Sequence, residues 1–105
     1  MYRIQRSALF KRQFLEITTG YRDRAGSAVA LDFVDRIDES IRFIASKPRA
    51  CATYTTLRGI EFRKWRVSGF PVSVFFRISG ESTIILEALY AHRMNIAARF
   101  PDEIG

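Results

Sequence analysis

Apolar residues recur in the first half of the chain with the spacing of helices. The opening segment, Tyr2 to Arg6, alternates apolar and polar residues and predicts a short half-buried strand. Ser7 is a candidate N-cap for a first helix. The helix should end between Thr18 and Tyr21, where Gly20 follows two β-branched threonines. The apolar stripe of this helix consists of Phe10, Phe14, Ile17 and Tyr21.

A second helix has the strongest apolar stripe in the sequence. A polar connection, Tyr21 to Ser27, is predicted to precede it. Because Pro48 disfavours the α conformation at Lys47, the helix should end at about Ser46. Two helices with a short connection predict an antiparallel helical hairpin. The stripe consists of Ala30, Val34, Ile37, Ile41 and Ile44.

Three strand-like segments joined by turns follow between Gly59 and Met94. Turn residues lie at Ser68-Gly69 and at Ser79 to Ser82. The last segment is almost continuously apolar, which is typical of a central strand covered on both faces. The three segments are Ile60 to Val67, Val72 to Ile78 and Thr83 to Leu89.

Less regular structure is predicted around these strands. Pro48 to Leu57 has no period and should be a surface loop. Asn95 to Phe100 is predicted to add one helical turn that Pro101 closes. In the segment Ile60 to Val67, alternation places Arg63, Trp65 and Val67 on one side and Phe62, Lys64 and Arg66 on the other. One face can therefore be buried through Trp65, while the other stays cationic.

The resulting order is strand, helix, helix, strand, strand, strand. It predicts an α+β fold in which an antiparallel helical hairpin packs on a small, mainly antiparallel sheet. Residues 1–105 should form one domain, since a chain of this length with 48% apolar residues can build one core. The sheet face opposite the hairpin should be partly open, which suggests that a partner covers it.

Charge and composition restrict the classes of function. A net charge of +6 and a pI near 10.1 favour nucleic acid or an acidic protein as partner. A single cysteine, Cys51, and a single histidine, His92, exclude an internal disulfide and a zinc site, so no metal or cofactor is expected. With no apolar run of membrane-spanning length and charges near the N-terminus, we expect a cytoplasmic protein without a membrane association.

Three motifs in the second half bring a known family into consideration. They are RKWRVSGF at Arg63 to Phe70, VFFR at Val74 to Arg77 and IILEALYAHRM at Ile84 to Met94. Together with the element order, they resemble the RelE/ParE superfamily of type II toxins, in its plasmid-stabilisation branch. The resemblance implies a RelE/ParE-like fold and a toxin that is neutralised by a cognate acidic antitoxin.

Two target classes are known in this superfamily, and the resemblance leaves both open. RelE-like members cleave mRNA on the ribosome, which needs an acid, a base and cations. ParE-like members inhibit DNA gyrase and lack that catalytic set. The histidine that ends the last strand in the family falls on Tyr90 or Ala91, and the family's acidic residue falls on Met94. We therefore favour gyrase inhibition.

Candidate site residues follow from these two activities. For an RNase the catalytic candidates are Arg63, Lys64, Tyr90, His92 and Arg93. For target binding without catalysis the candidates are Arg63, Lys64, Arg66, Arg77 and Arg93. A third possibility is a degenerate toxin that survives as a non-toxic basic binding module.

Structural roles compete with the functional ones at several of these positions. Trp65 and Phe70 are expected in the core, and Cys51 is expected to be an incidental thiol. Arg63 could instead pair with a helix carboxylate, and Glu87 with a neighbouring arginine. His92 is as compatible with a solvated surface residue as with a catalytic one. The antitoxin should be an acidic, disordered segment that folds onto an apolar groove by the hairpin or onto a free sheet edge.

Overall fold

The computed structural model describes residues 1–104 as an α+β fold with three helices and one five-stranded sheet. The sheet order is β1-β5-β4-β3-β2, with β1 parallel to β5 and the other neighbours antiparallel. The predicted fold class and helical hairpin are confirmed, with one additional strand after the helices. The elements are β1 Arg3–Arg6, α1 Ala8–Ala25, α2 Ser27–Ser46, a 3₁₀ turn Pro48–Ala50, β2 Ala52–Leu57, β3 Ile60–Arg66, β4 Val72–Ser79, β5 Thr83–Ala91 and α3 Ile96–Ile104.

Helix α1 begins where the sequence predicts but is longer than expected. The Ser7 hydroxyl accepts a hydrogen bond from the Phe10 amide at 3.0 Å, as an N-cap does. The predicted end near Gly20 and the polar connection after it are wrong, because α1 continues to Ala25. The ring of Tyr21 packs 5.1 Å from that of Phe70, and such burial outweighs the cost of about 1 kcal/mol for a helical glycine.

A single residue, Gly26, links the two helices. Its φ of 92° lies in the region that favours glycine, so it allows the reversal between α1 and α2. Helix α2 ends at Ser46, as predicted from Pro48. The hairpin packs its apolar stripes on one face of the sheet, where they form the larger core. Its fully buried members include Phe33, Ile37, Ile44, Val67, Val72, Val74, Phe76, Ile84, Leu86 and Leu89.

Strand β2 corrects the prediction of a surface loop from Pro48 to Leu57. It pairs antiparallel with β3 and forms one edge of the sheet. The register shifts between Thr53 and Thr55, so Tyr54 is the extra residue of a β-bulge that interrupts the period of two. The middle strand of the five is β4 rather than β5, although β5 is covered on both faces as expected.

Helix α3 covers the sheet face that the sequence predicts to be open. The helix also continues through Pro101 to Ile104, so the expectation of a single turn closed by proline is wrong. Phe100 is fully buried, with its ring centroid 5.2 Å from that of Phe62 and 5.5 Å from that of Phe75. A second core on this face outweighs the one backbone hydrogen bond that proline removes.

A β-bulge at Glu87 shifts the alternation of β5 by one residue. Phe75 pairs with Ala88 and Phe76 pairs with Leu86, so Glu87 has no partner across the β4–β5 ladder. The bulge changes the phase of side-chain alternation. Residues on both sides of it therefore reach the hairpin core, whereas Ala88 and Tyr90 belong to the core under α3.

Helix α1 satisfies the backbone groups next to this bulge. Strand β1 ends opposite Leu86, so it leaves the following part of β5 without a partner on that side. The Ser7 hydroxyl donates to the carbonyl of Glu87 at 2.8 Å. The side-chain carbonyl of Gln13 accepts from the amide of Leu89 at 2.8 Å, and Gln13 is only 2% exposed. These two contacts fix α1 against the sheet.

Candidate functional site

A basic cleft lies on the α3 side of the sheet, where β3 and β5 end and β4 begins. Register places Arg66 opposite Ser73, and Ser73 opposite Tyr90. The cleft has a volume of about 440 Å³. We define the basic cleft by its lining residues, which are Ala50, Ala52, Lys64, Trp65, Arg66, Ser73 and His92.

The polar groups of the basic cleft comprise three basic side chains and one hydroxyl. Ser73 is 5% exposed, and its Oγ lies 2.8 Å from Nε2 of His92. Burial lowers the pKa of His92, and the positive charges of Arg66 and Lys64 lower it further. His92 is therefore neutral at pH 7, and the potential in the cleft is positive. Within residues 1–104, no carboxylate forms a salt bridge with Lys64, Arg66 or His92.

Arg63 points away from the basic cleft. Its guanidinium donates to the carbonyl of Cys51 at 2.7 Å and to the carboxylate of Glu61 at 2.7 Å. The carboxylate belongs to β3 itself, so the expected pairing with a helix carboxylate is wrong. Cys51 is 2% exposed within the hairpin core and not merely an incidental loop thiol. Arg63 thus ties β3 to the start of β2.

The remaining cationic candidates differ in their surroundings. Arg77 donates to the carboxylate of Glu87 at 2.6 Å, which confirms the predicted ion pair of Glu87 with an arginine. Arg93 is exposed in the segment between β5 and α3, next to His92. Only Lys64, Arg66 and His92 among the predicted site residues therefore share the cleft, with Arg93 following in sequence.

Tyr90 lies under α3 and its hydroxyl is already engaged. The side chain is fully buried, and the hydroxyl donates to Glu103 at 2.6 Å. Arg99 pairs with Glu103 at 3.1 Å and its guanidinium lies 5.3 Å from the centroid of the Tyr90 ring. Burial raises the pKa of Tyr90, and the hydrogen bond to Glu103 raises it further. Tyr90 therefore links α3 to β5.

The two aromatic residues that were expected in the core differ in burial. Phe70 is buried in the hairpin core, and Trp65 packs against it while staying partly exposed. The ring of Trp65 stacks on that of Phe43 from α2, with the centroids 4.2 Å apart and the planes at 15°. This stacking holds the end of β3, and with it Lys64 and Arg66, against the hairpin.

A sequence model of the ParE toxin of type II toxin–antitoxin systems, parDE, matches residues 4–96. The chain belongs to the ParE toxin family. The match includes the hairpin, the sheet apart from Arg3 and the residues of the basic cleft, whereas α3 lies beyond it except for Ile96. No curated protein matches the chain.

Solved structures support the ParE-family assignment at the level of the fold. One similar structure is described as the chromosomal ParDE TA system from P. aeruginosa. It is 20% identical, with a TM-score of 0.71 over 87% of this chain and 96% of that chain. The chain is therefore a ParE-like type II toxin in both family and fold.

The helical hairpin of this ParE-family chain carries a second surface that a partner could use. Two depressions of about 240 and 390 Å³ lie along the seam between α1 and α2. Leu31, which lines the second one, is 66% exposed. We call this seam the hairpin groove; its lining is Arg6, Phe10, Lys11, Phe14, Ile37, Asp38 and Ile41 in one part and Thr18, Arg22, Ser27, Ala30, Leu31 and Val34 in the other.

Two features of the ParE-family site were missed from the sequence. Ser73 carried no local signal, because its contact with His92 depends on the pairing of β4 with β5. Helix α3 had a signal in the spacing of Arg99 and Glu103, which is that of a helical ion pair. In residues 1–104 no group of three or more metal-ligating side chains comes together, and no helix there is long and apolar enough to cross a membrane.

Proposed function

We propose that this chain inhibits DNA gyrase and that a cognate acidic antitoxin neutralises it. The family match over residues 4–96 carries the proposal, because gyrase inhibition and antitoxin neutralisation are typical of ParE toxins. This function has two parts, a cognate antitoxin as the partner and DNA gyrase as the target.

The surroundings of the acidic and phenolic groups support gyrase inhibition over RNA cleavage. Cleavage requires an acid and a base that reach one phosphodiester. The Tyr90 hydroxyl donates to Glu103 beneath α3 and has a raised pKa. Glu61 and Glu87 are paired with arginines. The basic cleft thus offers His92 and cations but no carboxylate.

A ribosome-dependent endoribonuclease is the second candidate, and His92 is the observation that favours it. Its lowered pKa leaves the imidazole neutral at pH 7, so it can accept the proton of a ribose 2′-hydroxyl. Lys64 and Arg66 line the same cleft and would stabilise the charge of the transition state.

Of the predicted target-binding cations, we propose that Lys64, Arg66 and Arg93 contact the target. These three are exposed and form no salt bridge within residues 1–104. Arg63 and Arg77 are each paired with a glutamate, so we assign them a supporting role. A cation without a partner carboxylate can engage a new anion at no cost of a broken pair.

For the antitoxin, the hairpin groove is the proposed docking surface. Apolar side chains line its floor, and Arg6, Lys11 and Arg22 lie along it. An acidic segment that folds into an amphipathic helix would match both features, with apolar residues in the groove and carboxylates near the arginines. The net charge of +6 adds long-range attraction.

Two enzymatic assays separate the candidate functions. Purified chain is added to a gyrase supercoiling reaction and, separately, to ribosomes translating a reporter mRNA. Inhibition of supercoiling without mRNA cleavage is the expected result. Cleavage without gyrase inhibition would establish the second candidate instead, and inactivity in both assays would indicate a non-toxic binding module.

The antitoxin surface is tested by co-purification with the acidic protein encoded beside this chain. Leu31→Glu places a charge in the hairpin groove and should release the antitoxin. The matched control is Ala28→Glu, on the same helix and also exposed but outside the groove lining. Retention of the antitoxin by the Leu31 variant, or equal loss by both variants, would contradict this docking surface.

A further inference from the structure

The basic cleft brings two cationic side chains together without a counter-charge. Lys64 and Arg66 are exposed, and neither forms a salt bridge with a carboxylate within residues 1–104. Other arginines of the described residues do form salt bridges, as Arg36 does with Asp32 and Glu39. Like charges held close together without a counter-charge repel each other and destabilise a fold, and a bound anion would relieve this repulsion.

The separation of Lys64 and Arg66 follows from the geometry of the strand. Lys64 and Arg66 are two residues apart on one strand, so their side chains emerge on the same face about 6.6 Å apart along β3. The stack of Trp65 on Phe43 fixes the residue between them. The separation is comparable to that of neighbouring phosphates along one nucleic-acid strand.

Hydrogen-bonding groups lie beside the charges. The Ser73 hydroxyl is nearly buried and contacts His92 Nε2 at 2.8 Å, so the pair is preorganised at the inner wall of the cleft. The volume of about 440 Å³ is within the usual range of ligand pockets. Arg49 and Arg93, both exposed, adjoin lining residues of the cleft and extend the basic surface beyond it.

We propose that the basic cleft is a phosphodiester-binding site, in which Lys64 and Arg66 contact the phosphates of a nucleic-acid backbone beside the Ser73–His92 pair. An arginine fork and an adjacent ammonium suit phosphate oxygens, and such contacts bind without reading sequence. The inference deepens the proposed function: gyrase acts on DNA, so the cleft would contact the DNA held in the gyrase complex. It concerns binding by the chain itself, and its test needs no gyrase.

His92 is the reporter for this test. It is the only histidine of the chain, so its imidazole signal in a ¹H–¹³C NMR spectrum is assigned without ambiguity. The full chain is titrated with inorganic phosphate, a duplex DNA oligonucleotide, a single-stranded RNA oligonucleotide and a polyglutamate peptide. A nucleic acid in the cleft should shift the imidazole signals and raise the pH midpoint of His92, since a nearby anion favours the charged ring.

Charge variants locate the contact. Lys64→Gln and Arg66→Gln should each reduce the slope of log K against log salt for the oligonucleotide by about one, as expected for one lost phosphate contact. The matched control is Arg58→Gln, which removes the same charge from the turn before β3, at the strand end opposite Arg66. The control should leave the slope and the His92 shifts unchanged.

Several results would overturn the inference. They are unshifted His92 signals with both nucleic acids, an equal loss of binding in the Arg58 control, and tighter binding of polyglutamate than of either oligonucleotide. A response to DNA alone or to RNA alone supports the inference and identifies the source of the phosphodiester. A chain that binds DNA in the cleft but does not inhibit gyrase refutes the proposed function only, whereas a chain that inhibits gyrase while its His92 signals stay unshifted with both nucleic acids refutes this inference only.

Discussion

The hydroxyl of Tyr90 can be removed without changing the ring that carries it. The ring is fully buried and packs with centroids 5.6 Å from Phe75 and 6.4 Å from Phe100. Its hydroxyl donates to Glu103 at 2.6 Å. Tyr90→Phe therefore preserves the core under α3 and removes the hydrogen bond that links the helix to β5.

The expected loss of stability follows from the surroundings of the acceptor. A hydrogen bond to a charged group contributes about 1.5–3 kcal/mol. Glu103 keeps Arg99 as a partner and its side chain is 25% exposed, so water can replace part of the lost contact. We therefore expect the low end, about 1.5 kcal/mol, which corresponds to a fall in Tm of about 6–12 °C for a domain of this size.

The loss should depend on pH in a defined direction. The hydrogen bond from Tyr90 lowers the pKa of Glu103 below its ordinary value of 4.5, and Arg99 contributes in the same direction. A carboxyl whose pKa is depressed by folding stabilises the fold above its unfolded pKa, and this contribution disappears as pH falls through its folded pKa. The difference between wild type and Tyr90→Phe should be largest near pH 7 and shrink below about pH 4.5.

Urea denaturation at several pH values measures this difference, and Tyr54→Phe is the matched control. Tyr54 packs against the same Phe75 and Phe100 rings. Its hydroxyl forms none of the hydrogen bonds found within residues 1–104, so its removal should change stability by less than about 0.5 kcal/mol. If Tyr90→Phe left stability unchanged but abolished growth inhibition, the structural role of Tyr90 would be refuted in favour of a direct part in toxicity.

Three further substitutions test the interior. Phe100→Ala should cost about 3–5 kcal/mol in urea denaturation, because the ring fills the core under α3; a loss below about 1 kcal/mol would contradict this packing. Gln13→Leu should cost about 1–3 kcal/mol and accelerate hydrogen exchange at the Leu89 amide, which loses its buried acceptor; unchanged exchange would show that another group serves it. Burial raises the pKa of Cys51 to about 11, so a thiol reagent at pH 8 should react slowly with native protein and rapidly in urea, whereas a fast native reaction would refute the burial.

The elements that could be predicted from the sequence are those whose pattern is local and uninterrupted. Helix α2 has a regular apolar stripe and a proline after its end, and both signals agree with the structure. Strand β2 could not be identified in the same way, because the bulge at Tyr54 interrupts its alternation. Gly20 misled the prediction for α1, since packing of Tyr21 against other elements outweighs local propensity.

The sequence predicted which residues belong to the candidate site better than it predicted how they are placed and paired. Strand alternation correctly placed Lys64 and Arg66 on one face. The sequence could not predict which arginines have hydrogen-bond partners. Arg63, for example, donates to the carbonyl of Cys51, which only the pairing of β2 with β3 brings close. The neighbourhood of His92 depends likewise on the register of β4 and β5.

The bulge at Glu87 marks a position in β5 where chain length can change while the side chains around it keep their faces. A substitution there would alter one ion pair with Arg77. Deletion of the residue would make Leu86 and Ala88 consecutive opposite Phe76 and Phe75, so Leu89 would still face the hairpin and Tyr90 would still face α3. Related sequences could therefore lose or exchange this residue and still keep both cores and the cleft at the end of β5.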